Sequence, residues 1–310
     1  MTERYAWNAE VRRNRIFNPS SGRHGMNIEI LFINSNRLGY TRQAVAALLA
    51  DPAEEFALSI WDNASTDGTR EFLETLKDPR IKQKVFSREN LYLTGAANKV
   101  FGESNADLLA IIPDDFLVPP GWTRTLAAVH AAVPQAGLIS CWFFGPEFFD
   151  ESKARHKIQE FGKHRILRHP WTGGGAALFK RKAWQEAGRF DGIATPECWM
   201  RMAARGYVNG FILPPIFVEH MDDPWSRYYS GKPGEIRKLN GWVTDQQVWE
   251  FHLAFVREIL EGPWDVRAYL GWRGRLRGHR NRFQRRLAKL GFGAPRPDYR
   301  ALRTSRLEAR

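Results

Sequence analysis

Short apolar runs alternate with amphipathic segments through the first half of the chain. The apolar runs predict four strands, at 28–33, 56–61, 81–86 and 108–112. The segments between them have helical spacing and predict four helices, from about Thr41, over 70–76, near 94–101 and over 122–132. Alternation of this kind is typical of a mostly parallel sheet with helices on both faces. We therefore expect an α/β protein with a Rossmann-like sheet.

Beyond residue 135 the alternation becomes looser. Apolar runs predict further strands at 138–144, 176–179, 211–213 and 215–219, and helical spacing predicts helices over 181–187, 197–205 and 245–260. The polar segment 224–241 predicts a loop or lid. These patterns divide the chain into an N-terminal extension over 1–26, a main α/β domain over 27–225, a loop or lid with a helix over 226–264, and a helical C-terminal arm over 265–310.

The composition is typical of a globular protein. Of the 310 residues, 43% are hydrophobic and 26% are charged, and no apolar run approaches the roughly 18 residues of a membrane span. The first residues lack the apolar core of a secretion signal, so we expect a cytoplasmic protein, free or peripheral to the inner face of the membrane. Cys141 and Cys198 are too few for a disulfide scaffold and are expected to be buried thiols.

The net charge of +12 is concentrated in the C-terminal arm. Residues 265–310 carry a net charge of +11 and residues 1–26 carry +3, which leaves −2 for the rest of the chain. Apolar and aromatic residues recur in the arm at steps of three or four between arginines, at Trp272, Leu276, His279, Phe283, Leu287 and Leu290. Such a helix suits an anionic membrane surface or a nucleic-acid backbone, or it packs on the main domain with its basic face in solvent.

Polar residues follow four predicted strands at the point where each strand ends. They are Asn34 and Asn36 after the first strand, 62–69 after the second, Asn90 after the third, and Asp114 with Asp115 after the fourth. Because the strands of a doubly wound sheet deliver their loops to one edge, we expect these residues to form one crevice. Within 62–69, Asp67 is also expected to cap the helix that follows.

From about Asn27 to His220 the chain resembles the family 2 inverting glycosyltransferases, which have the nucleotide-sugar-binding GT-A fold. Besides the strand-end residues, the resemblance is carried by Gly95 and Asn98, by Gly173-Gly174-Gly175 before Lys180-Arg181, and by Glu197–Arg201 with Gly206-Tyr207. It implies a GT-A-like fold that binds a nucleotide diphosphate sugar. The donor-binding residues that it implies are Asn34, Asn36, Asp62, Asn90, Asn98 and Asp114. Among these, Asp62 is expected to accept a hydrogen bond from the nucleotide base.

The resemblance also implies a metal site for Mn²⁺ or Mg²⁺. Asp114 and Asp115 occupy the place of the family's Asp-x-Asp motif, although Ile112 stands where a first aspartate often lies. Hard oxygen ligands of this kind suit either ion. His220, after a late strand, is expected to complete the metal's shell or to contact the diphosphate. The alternatives are a solvated turn at the aspartates and a structural role for the histidine.

The candidate catalytic base is Glu197, since inverting transfer requires a carboxylate that takes the proton of the acceptor hydroxyl. Aligning Arg201 and Gly206 with the family's helix puts Ala194-Thr195 where an acidic pair usually lies, and Glu197 about one turn further on. Asp191 is the reserve candidate. A surface glutamate in the first turn of a helix is the alternative interpretation of Glu197.

The function expected from this sequence is metal-dependent, inverting transfer of a sugar from a nucleotide diphosphate sugar to a hydroxyl acceptor, such as a cell-surface saccharide or a lipid-linked acceptor. Two alternatives stay open. The basic arm is compatible with a DNA-modifying glycosyltransferase that acts on hydroxylated bases, with DNA as the partner of the arm. The missing first aspartate is compatible with a non-catalytic module that binds nucleotides or saccharides.

Overall fold

The computed structural model describes residues 10–13, 25–173, 175–191, 195–231 and 244–269. The strands are β1 Glu10–Arg13, β2 Ile28–Asn34, β3 Ala57–Asp62, β4 Ile81–Phe86, β5 Leu108–Pro113, β6 Phe116–Leu117, β7 Ala136–Ser140, β8 Ile158–Phe161, β9 His164–Arg168, β10 Ala177–Lys180, β11 Val208–Leu213 and β12 Glu219–His220. The α-helices are α1 Leu38–Leu49, α2 Thr69–Thr75, α3 Tyr92–Gly102, α4 Trp122–Ala132, α5 Glu151–Ala154, α6 Arg181–Glu186, α7 Pro196–Ala204 and α8 Asp245–Glu261. Short 3₁₀ turns cover Pro146–Phe148, Arg155–Lys157 and Val266–Ala268.

Ten strands form one sheet in the order β1-β4-β3-β2-β5-β10-β7-β11-β9-β8. The pairs β4-β3, β3-β2, β2-β5 and β7-β11 are parallel, whereas β10 runs antiparallel between β5 and β7. This confirms the expected α/β fold with a mostly parallel sheet. The register places Asn34 opposite Asp62 and Ile33 opposite Pro113, so the loops after β2, β3 and β5 leave the sheet side by side.

Helices cover both faces of the sheet. In β2, Ile30 and Phe32 join a buried cluster with residues of α1 and α4, and Leu31 and Ile33 join a second cluster with residues of α3, α6 and α7. Burial on both faces explains why these strands have continuous apolar runs. Each such buried side chain contributes about 1.5–3 kcal/mol relative to exposure. Cys141 and Cys198 are buried free thiols, as expected.

A second, two-stranded sheet lies beside the end of β5. Its strands β6 and β12 pair antiparallel, with His220 opposite Phe116 and Glu219 opposite Leu117. The backbone N–H of Met221 donates to the carbonyl of Asp115 over 2.8 Å. A late segment of the chain is thereby fixed against the turn that follows β5.

The helix α8 packs on the same core as the central sheet. Thr244 and Gln247 form a capping box at its start, which satisfies two N–H groups that the helix itself leaves open. The buried residues recur at intervals of three or four, at Val248, His252, Val256 and Ile259, and the last two belong to the main core cluster. One of the residues on this apolar stripe is therefore a histidine.

Two predicted strands differ from the structure. The strand predicted over 138–144 ends at Ser140, because Trp142 leaves the sheet and packs edge-on against Phe149 and Phe211. The strand predicted over 215–219 is not continuous: Phe217 forms an isolated parallel bridge with Trp142, and β12 covers only Glu219–His220. Pro214 and Pro215, just before it, have no N–H to donate to a ladder.

The chain contains a hairpin that the apolar pattern did not predict. The strands β8 and β9 are joined by a turn at Gly162, which has a φ of +59°, and β9 extends the sheet by pairing with β11.

None of the described helices combines the length and the hydropathy needed to cross a membrane. The predicted arm helix, with Trp272 to Leu290, lies outside the described residues, and the division at 26, 225 and 264 stays a prediction.

Candidate active site

The loops after β2 and β3 are joined by buried polar side chains. Asn34 Nδ2 donates to Asp62 Oδ1 over 2.5 Å, and the N–H of Ser65 donates to Asp62 Oδ2 over 3.1 Å. The N–H of Asn36 donates to Ser65 Oγ over 2.9 Å, and Asn36 Oδ1 accepts from the N–H of Thr66 over 2.7 Å. The two loops therefore form one connected unit at the carboxyl edge of the sheet.

Asp67 connects the same unit to two helices. Its carboxylate accepts from the N–H of Leu38, at the start of α1, and from the N–H and hydroxyl of Thr69, at the start of α2. The residue at the N-cap position of α2 is Gly68, with a φ of +89°. Asp67 thus lies one residue before the N-cap position, and its carboxylate still accepts from the first residue of α2. It also accepts from the first residue of α1.

The third predicted loop is attached through Asn63. Its Oδ1 accepts from Trp61 Nε1 and from the N–H of Leu91, both over 3.0 Å. Asn90 Oδ1 accepts from the N–H of Tyr92 over 2.8 Å, at the start of α3. Asn98 lies on α3 and uses both ends of its amide on the backbone of Phe190. Asn90 is therefore at the expected edge, and Asn98 fixes α3 to the loop before α7.

Arg37 lies at the centre of an acidic cluster formed by the ends of β5 and β12. Its Nη1 is 3.2 Å from Asp114 Oδ1 and 2.7 Å from Asp115 Oδ2, and its Nη2 is 3.0 Å from Asp222 Oδ1. The ring of Tyr40 lies against the guanidinium, 4.8 Å from its carbon. Arg37 thus bridges carboxylates from two segments of the chain.

The position of Arg37 on α1 would by itself be unfavourable for a cation. It is the N-cap residue of α1, where the positive end of the helix dipole favours negative charge. Burial also disfavours its charged form, but the charges of Asp115, Asp114 and Asp222 outweigh this and hold the pKa of Arg37 above its ordinary value. The carboxylates therefore decide where this guanidinium lies.

The two neighbouring aspartates differ in their preference for a proton. Burial raises the pKa of Asp114 above its ordinary value, although Arg37 acts in the opposite direction. Burial would raise the pKa of Asp115 as well, but Arg37 and His220 outweigh it and hold that pKa well below its usual range. Asp115 Oδ1 is buried and has no hydrogen-bond partner among the described residues. Asp115 is consequently an anion with one free oxygen.

His220 stands between two carboxylates. Its Nε2 is 3.4 Å from Asp115 Oδ2 and its Nδ1 is 3.0 Å from Asp223 Oδ1. Burial disfavours the imidazolium, but Asp223 and Asp115 outweigh this and raise the pKa of His220 to about 10. The ring packs on Phe116, with 4.9 Å between centroids, as the pairing of β12 with β6 requires. The cluster attracts positive charge strongly enough to keep a proton here.

A second imidazole reaches the cluster from α8. His252 Nε2 is 3.5 Å from Asp223 Oδ1, and its ring is nearly parallel to that of His220, 6.4 Å away. Trp225 and Phe144 pack edge-on against the His252 ring at 4.8 and 5.1 Å. One nitrogen or oxygen of each of His220, Asp223 and His252 lies within 4.8 Å of the other two. Carboxylate and imidazole groups are competent ligands for divalent cations, so the residues present fit a metal ion.

The two candidate bases are both exposed. Asp191 forms an ion pair with Arg201, 2.8 Å from its Nη2. Glu197 lies in the first turn of α7, which packs on β7 and β11 and ends at Ala204, shortly before β11 begins. The helix therefore starts towards the edge at which β11 ends, and this is the edge that carries the polar loops.

The sequence also places this chain among known proteins. The profile described as Glycosyl transferase family 2 matches residues 29–201. The chain belongs to this family. No curated protein matches the family 2 chain at a significant level of sequence similarity. The matched residues include the loops after β2, β3 and β5 and the first turn of α7.

The solved structures that are similar to this family 2 glycosyltransferase include two with a bound donor. The mannosyltransferase PcManGT from Pyrobaculum calidifontis, in complex with GDP-Man and Mn²⁺, is 17% identical with a TM-score of 0.52, over 96% of this chain and 83% of that chain. Residues 1–349 of TarS from S. aureus, in complex with UDP-GlcNAc, are 11% identical with a TM-score of 0.50, over 75% of this chain and 73% of that chain. The similarity confirms the GT-A-like fold.

Four residues of the cluster received no role from the sequence. They are Arg37, Asp222, Asp223 and His252. Arg37 is the last residue of the segment Asn34-Ser35-Asn36-Arg37, which carries part of the family resemblance, and the two aspartates follow His220 closely, so their positions in the sequence were a usable signal. The signal for His252 was weaker, since it is one polar residue on the apolar stripe of a predicted helix, where a structural role is common.

Proposed function

We propose that this family 2 glycosyltransferase moves a sugar from a nucleotide diphosphate sugar to a hydroxyl acceptor, with inversion and with a divalent cation. The observation that carries the proposal is the junction of two clusters at one edge of the sheet. The N–H of Ser35 donates to Asp114 Oδ2 over 3.3 Å, which joins the Asn34–Asp62 loops to the acidic cluster around Arg37. A nucleoside and the diphosphate attached to it need two such neighbouring sites.

The nucleoside would lie against the loops that Asn34, Asn36 and Asp62 connect, with Asn90 beside them. Asn34 Oδ1 is buried and has no hydrogen-bond partner among the described residues, so it can accept a hydrogen bond from a ligand. The carboxylate of Asp62 lies beside Asn34, and carboxylates are strong hydrogen-bond acceptors. GDP-Man and UDP-GlcNAc in the structures of PcManGT and TarS support a nucleotide diphosphate sugar as the donor.

The residues that would hold Mn²⁺ or Mg²⁺ are His220 and the neighbouring carboxylates, among which Asp114 and Asp115 follow the family motif. A bound divalent ion neutralises charge that develops on the departing nucleoside diphosphate. Mn²⁺ in the structure of PcManGT supports such an ion here. Arg37 adds a fixed positive charge in the same cluster, where it would also bind diphosphate oxygens.

We propose Glu197 as the base that takes the proton of the acceptor hydroxyl. Its carboxylate is exposed at the start of α7, and none of the described residues forms an ion pair with it. Asp191 is less available, because Arg201 holds its carboxylate at 2.8 Å. Removal of the proton makes the acceptor oxygen a better nucleophile as it attacks the anomeric carbon.

We propose a cell-surface saccharide or a lipid-linked saccharide as the acceptor, with the basic arm over 265–310 binding an anionic membrane surface on the cytoplasmic side. The charge of +11 on the arm supports this placement. The same charge also fits DNA, and deletion of the arm would separate the two partners.

The experiment that tests the function measures release of nucleoside diphosphate from the purified full chain. A panel of GDP- and UDP-sugars is assayed with Mn²⁺, with Mg²⁺ and with excess EDTA, and the anomeric configuration of the product is determined by NMR. We expect turnover with one donor and either ion, loss of turnover in EDTA, and an inverted product. A retained configuration contradicts inversion, full activity in EDTA contradicts metal dependence, and no turnover of any donor favours the non-catalytic module.

A further inference from the structure

The guanidinium of Arg168, at the end of β9, is half-buried and forms no ion pair with any described residue. Its Nη1 donates to the neutral Oε1 of Gln159 over 2.6 Å. The guanidiniums of Arg37 and Arg80, by contrast, each face a carboxylate, at 2.7 and 2.9 Å. Burial lowers the pKa of Arg168, as expected for a cation that no nearby carboxylate stabilises. Arg168 is therefore a positive charge without a counter-charge in the part of the chain that the structure describes.

One edge of this guanidinium is available for a ligand. Gln159 uses Nη1, whereas neither Nε nor Nη2 has a hydrogen-bond partner among the described residues. The guanidinium lies over the ring of Trp264, with its carbon 5.1 Å from the ring centroid, and this contact uses none of its N–H groups as hydrogen-bond donors. The edge formed by Nε and Nη2 is the one with which arginine binds a carboxylate or a phosphate through two parallel hydrogen bonds.

A second cationic side chain lies at the same place. The ladder pairs Ile158 of β8 with Leu167 of β9, so Lys157 and Arg168 are opposite each other one step beyond this pair. Lys157 is buried, and its Nζ donates to the carbonyl of Gly262 over 3.0 Å. Like charges at opposite positions of neighbouring strands repel each other. An anion bound next to both side chains reduces this repulsion.

This position is separate from the candidate active site. The strand β9 runs antiparallel to β11, and β11 is parallel to β7. The strands β7 and β5 are parallel to each other, because β10 runs antiparallel to both. The chain therefore runs along β9 away from the edge at which β5 ends and the polar loops lie. Arg168 consequently has no part in the cluster around Arg37.

The basic arm begins beside this position. The hydroxyl of Tyr269, the last described residue, is 3.3 Å from His169 Nε2 and donates to Glu258 Oε1 over 2.7 Å. His169 directly follows Arg168, and the sequence after Tyr269 carries a charge of +11. Trp264 is 39% exposed, and tryptophan is enriched where protein meets the boundary between lipid and water. An anion bound at Arg168 would thus lie where the arm leaves the described fold.

We propose that Arg168, with Lys157 beside it and Trp264 against it, binds one phosphate group. A phosphate has oxygens in several directions, so it can accept from the edge of the guanidinium and face the ammonium at the same time. The site goes beyond the proposed sugar transfer and does not depend on it. Two sources share this chemistry, the head group of an anionic lipid and free phosphate, and the test distinguishes them.

The test follows Trp264 by fluorine NMR in the full chain labelled with fluorotryptophan, with its signal assigned from Trp264→Phe. Inorganic phosphate and dihexanoylphosphatidylglycerol are each titrated at constant ionic strength, with sodium chloride as the reference. We expect a saturable shift of the signal with phosphate or lipid and none with chloride. Arg168→Gln should weaken binding about tenfold or more, because charge-assisted hydrogen bonds are lost. The control Arg155→Gln, at a nearby exposed arginine, should change it less than about twofold.

The titration of the unaltered chain keeps the test valid if Arg168→Gln does not fold. The absence of a saturable shift with both phosphate and lipid overturns the site, and so does equal binding by the unaltered chain and by Arg168→Gln. Binding of the lipid at least about tenfold more tightly than inorganic phosphate supports the site and assigns it to a lipid head group. Any other order of the two affinities supports the site and assigns it to free phosphate.

Discussion

Arg37 Nη1 lies 2.7 Å from Asp115 Oδ2, and both side chains are largely buried. The pair connects the start of α1 to the end of β5, and Asp114 and Asp222 extend it to the turn after β12. Buried charges of this kind are costly when one partner is lost. Loss of Arg37 alone should therefore destabilise the fold, quite apart from any role in catalysis.

Replacement of Arg37 by methionine should destabilise the protein by about 3–5 kcal/mol, because it leaves buried carboxylates without a counter-charge. Arg37→Lys should recover only part of this loss, since one ammonium cannot face three carboxylates from two directions. Denaturant unfolding measures the difference. The control is Arg124→Met, which breaks the more exposed pair with Asp51 and should cost less than about 1 kcal/mol. Equal losses in the two variants would contradict this account.

Asp62→Ala should weaken binding of UDP or GDP at least tenfold. The substitution removes the acceptor of Asn34 Nδ2 and of the Ser65 N–H, so the loops after β2 and β3 lose their connection. Isothermal titration measures the affinity. The control is Asp78→Ala, which removes an ion pair with Arg80 just before β4, at the opposite edge of the sheet. If both variants bind nucleotide equally well, the loops do not form the nucleoside site.

Glu197→Gln should leave donor binding unchanged and lower kcat by at least 100-fold, because an amide cannot take the acceptor's proton. Asp191→Asn is the comparison, and we expect it to affect stability more than kcat through the loss of the pair with Arg201. Steady-state kinetics and nucleotide titration on both variants measure these effects. Normal turnover in Glu197→Gln together with loss in Asp191→Asn would assign the base to Asp191.

Stability should fall as the pH is lowered from about 6.5 to 4, in part through His130. This buried residue faces the carbonyl of Leu178 at 3.0 Å, and burial lowers its pKa to about 4. The unfolded chain therefore takes up the proton at a higher pH than the folded chain, and acid favours unfolding. The loss is about 3 kcal/mol once the pH is below both values. Denaturant unfolding of His130→Gln should show a smaller loss, and an unchanged pH slope would contradict this origin.

Deletion of residues 270–310 should separate the partners of the basic arm, since it removes a charge of +11 and none of the described residues. If the arm binds membrane, the full chain floats with anionic liposomes and the truncated chain does not. If it binds DNA, truncation instead removes salt-sensitive duplex binding. Loss of cooperative melting in the truncated chain would show that the arm is part of the fold.

The sequence was most informative where one physical requirement dominates. The strand at 81–86 and the helix at 122–132 have the predicted bounds, because burial of apolar faces alone decides them. Residues 141–144 are just as apolar, but Trp142 and Phe144 pack against Phe211 and Phe255 of later segments instead of extending β7. No local pattern distinguishes these two uses of an apolar run.

The candidate site shows the same limit. Asn34, Asp62, Asp114 and Asp115 meet at one edge, as parallel strands require. The approach of His252 to His220 depends on how α8 packs across the core. The residue pattern of a single sequence does not predict tertiary packing of this kind. The position of Arg37 in the sequence indicated that it lies near the site, but not its ion pairs, because a cation at a helix N-terminus is locally unfavourable.

The pairing of β12 with β6 brings together two parts of the chain that leave the ribosome at quite different times. The strands and loops that carry Asn34, Asp62 and Asp115 are synthesised long before His220, and His252 follows later still. Because domains begin to fold from the N-terminal side during synthesis, a nascent chain can form the loops after β2, β3 and β5 before His220 and His252 have been synthesised. The order of translation thus delays assembly of the whole site until α8 has emerged.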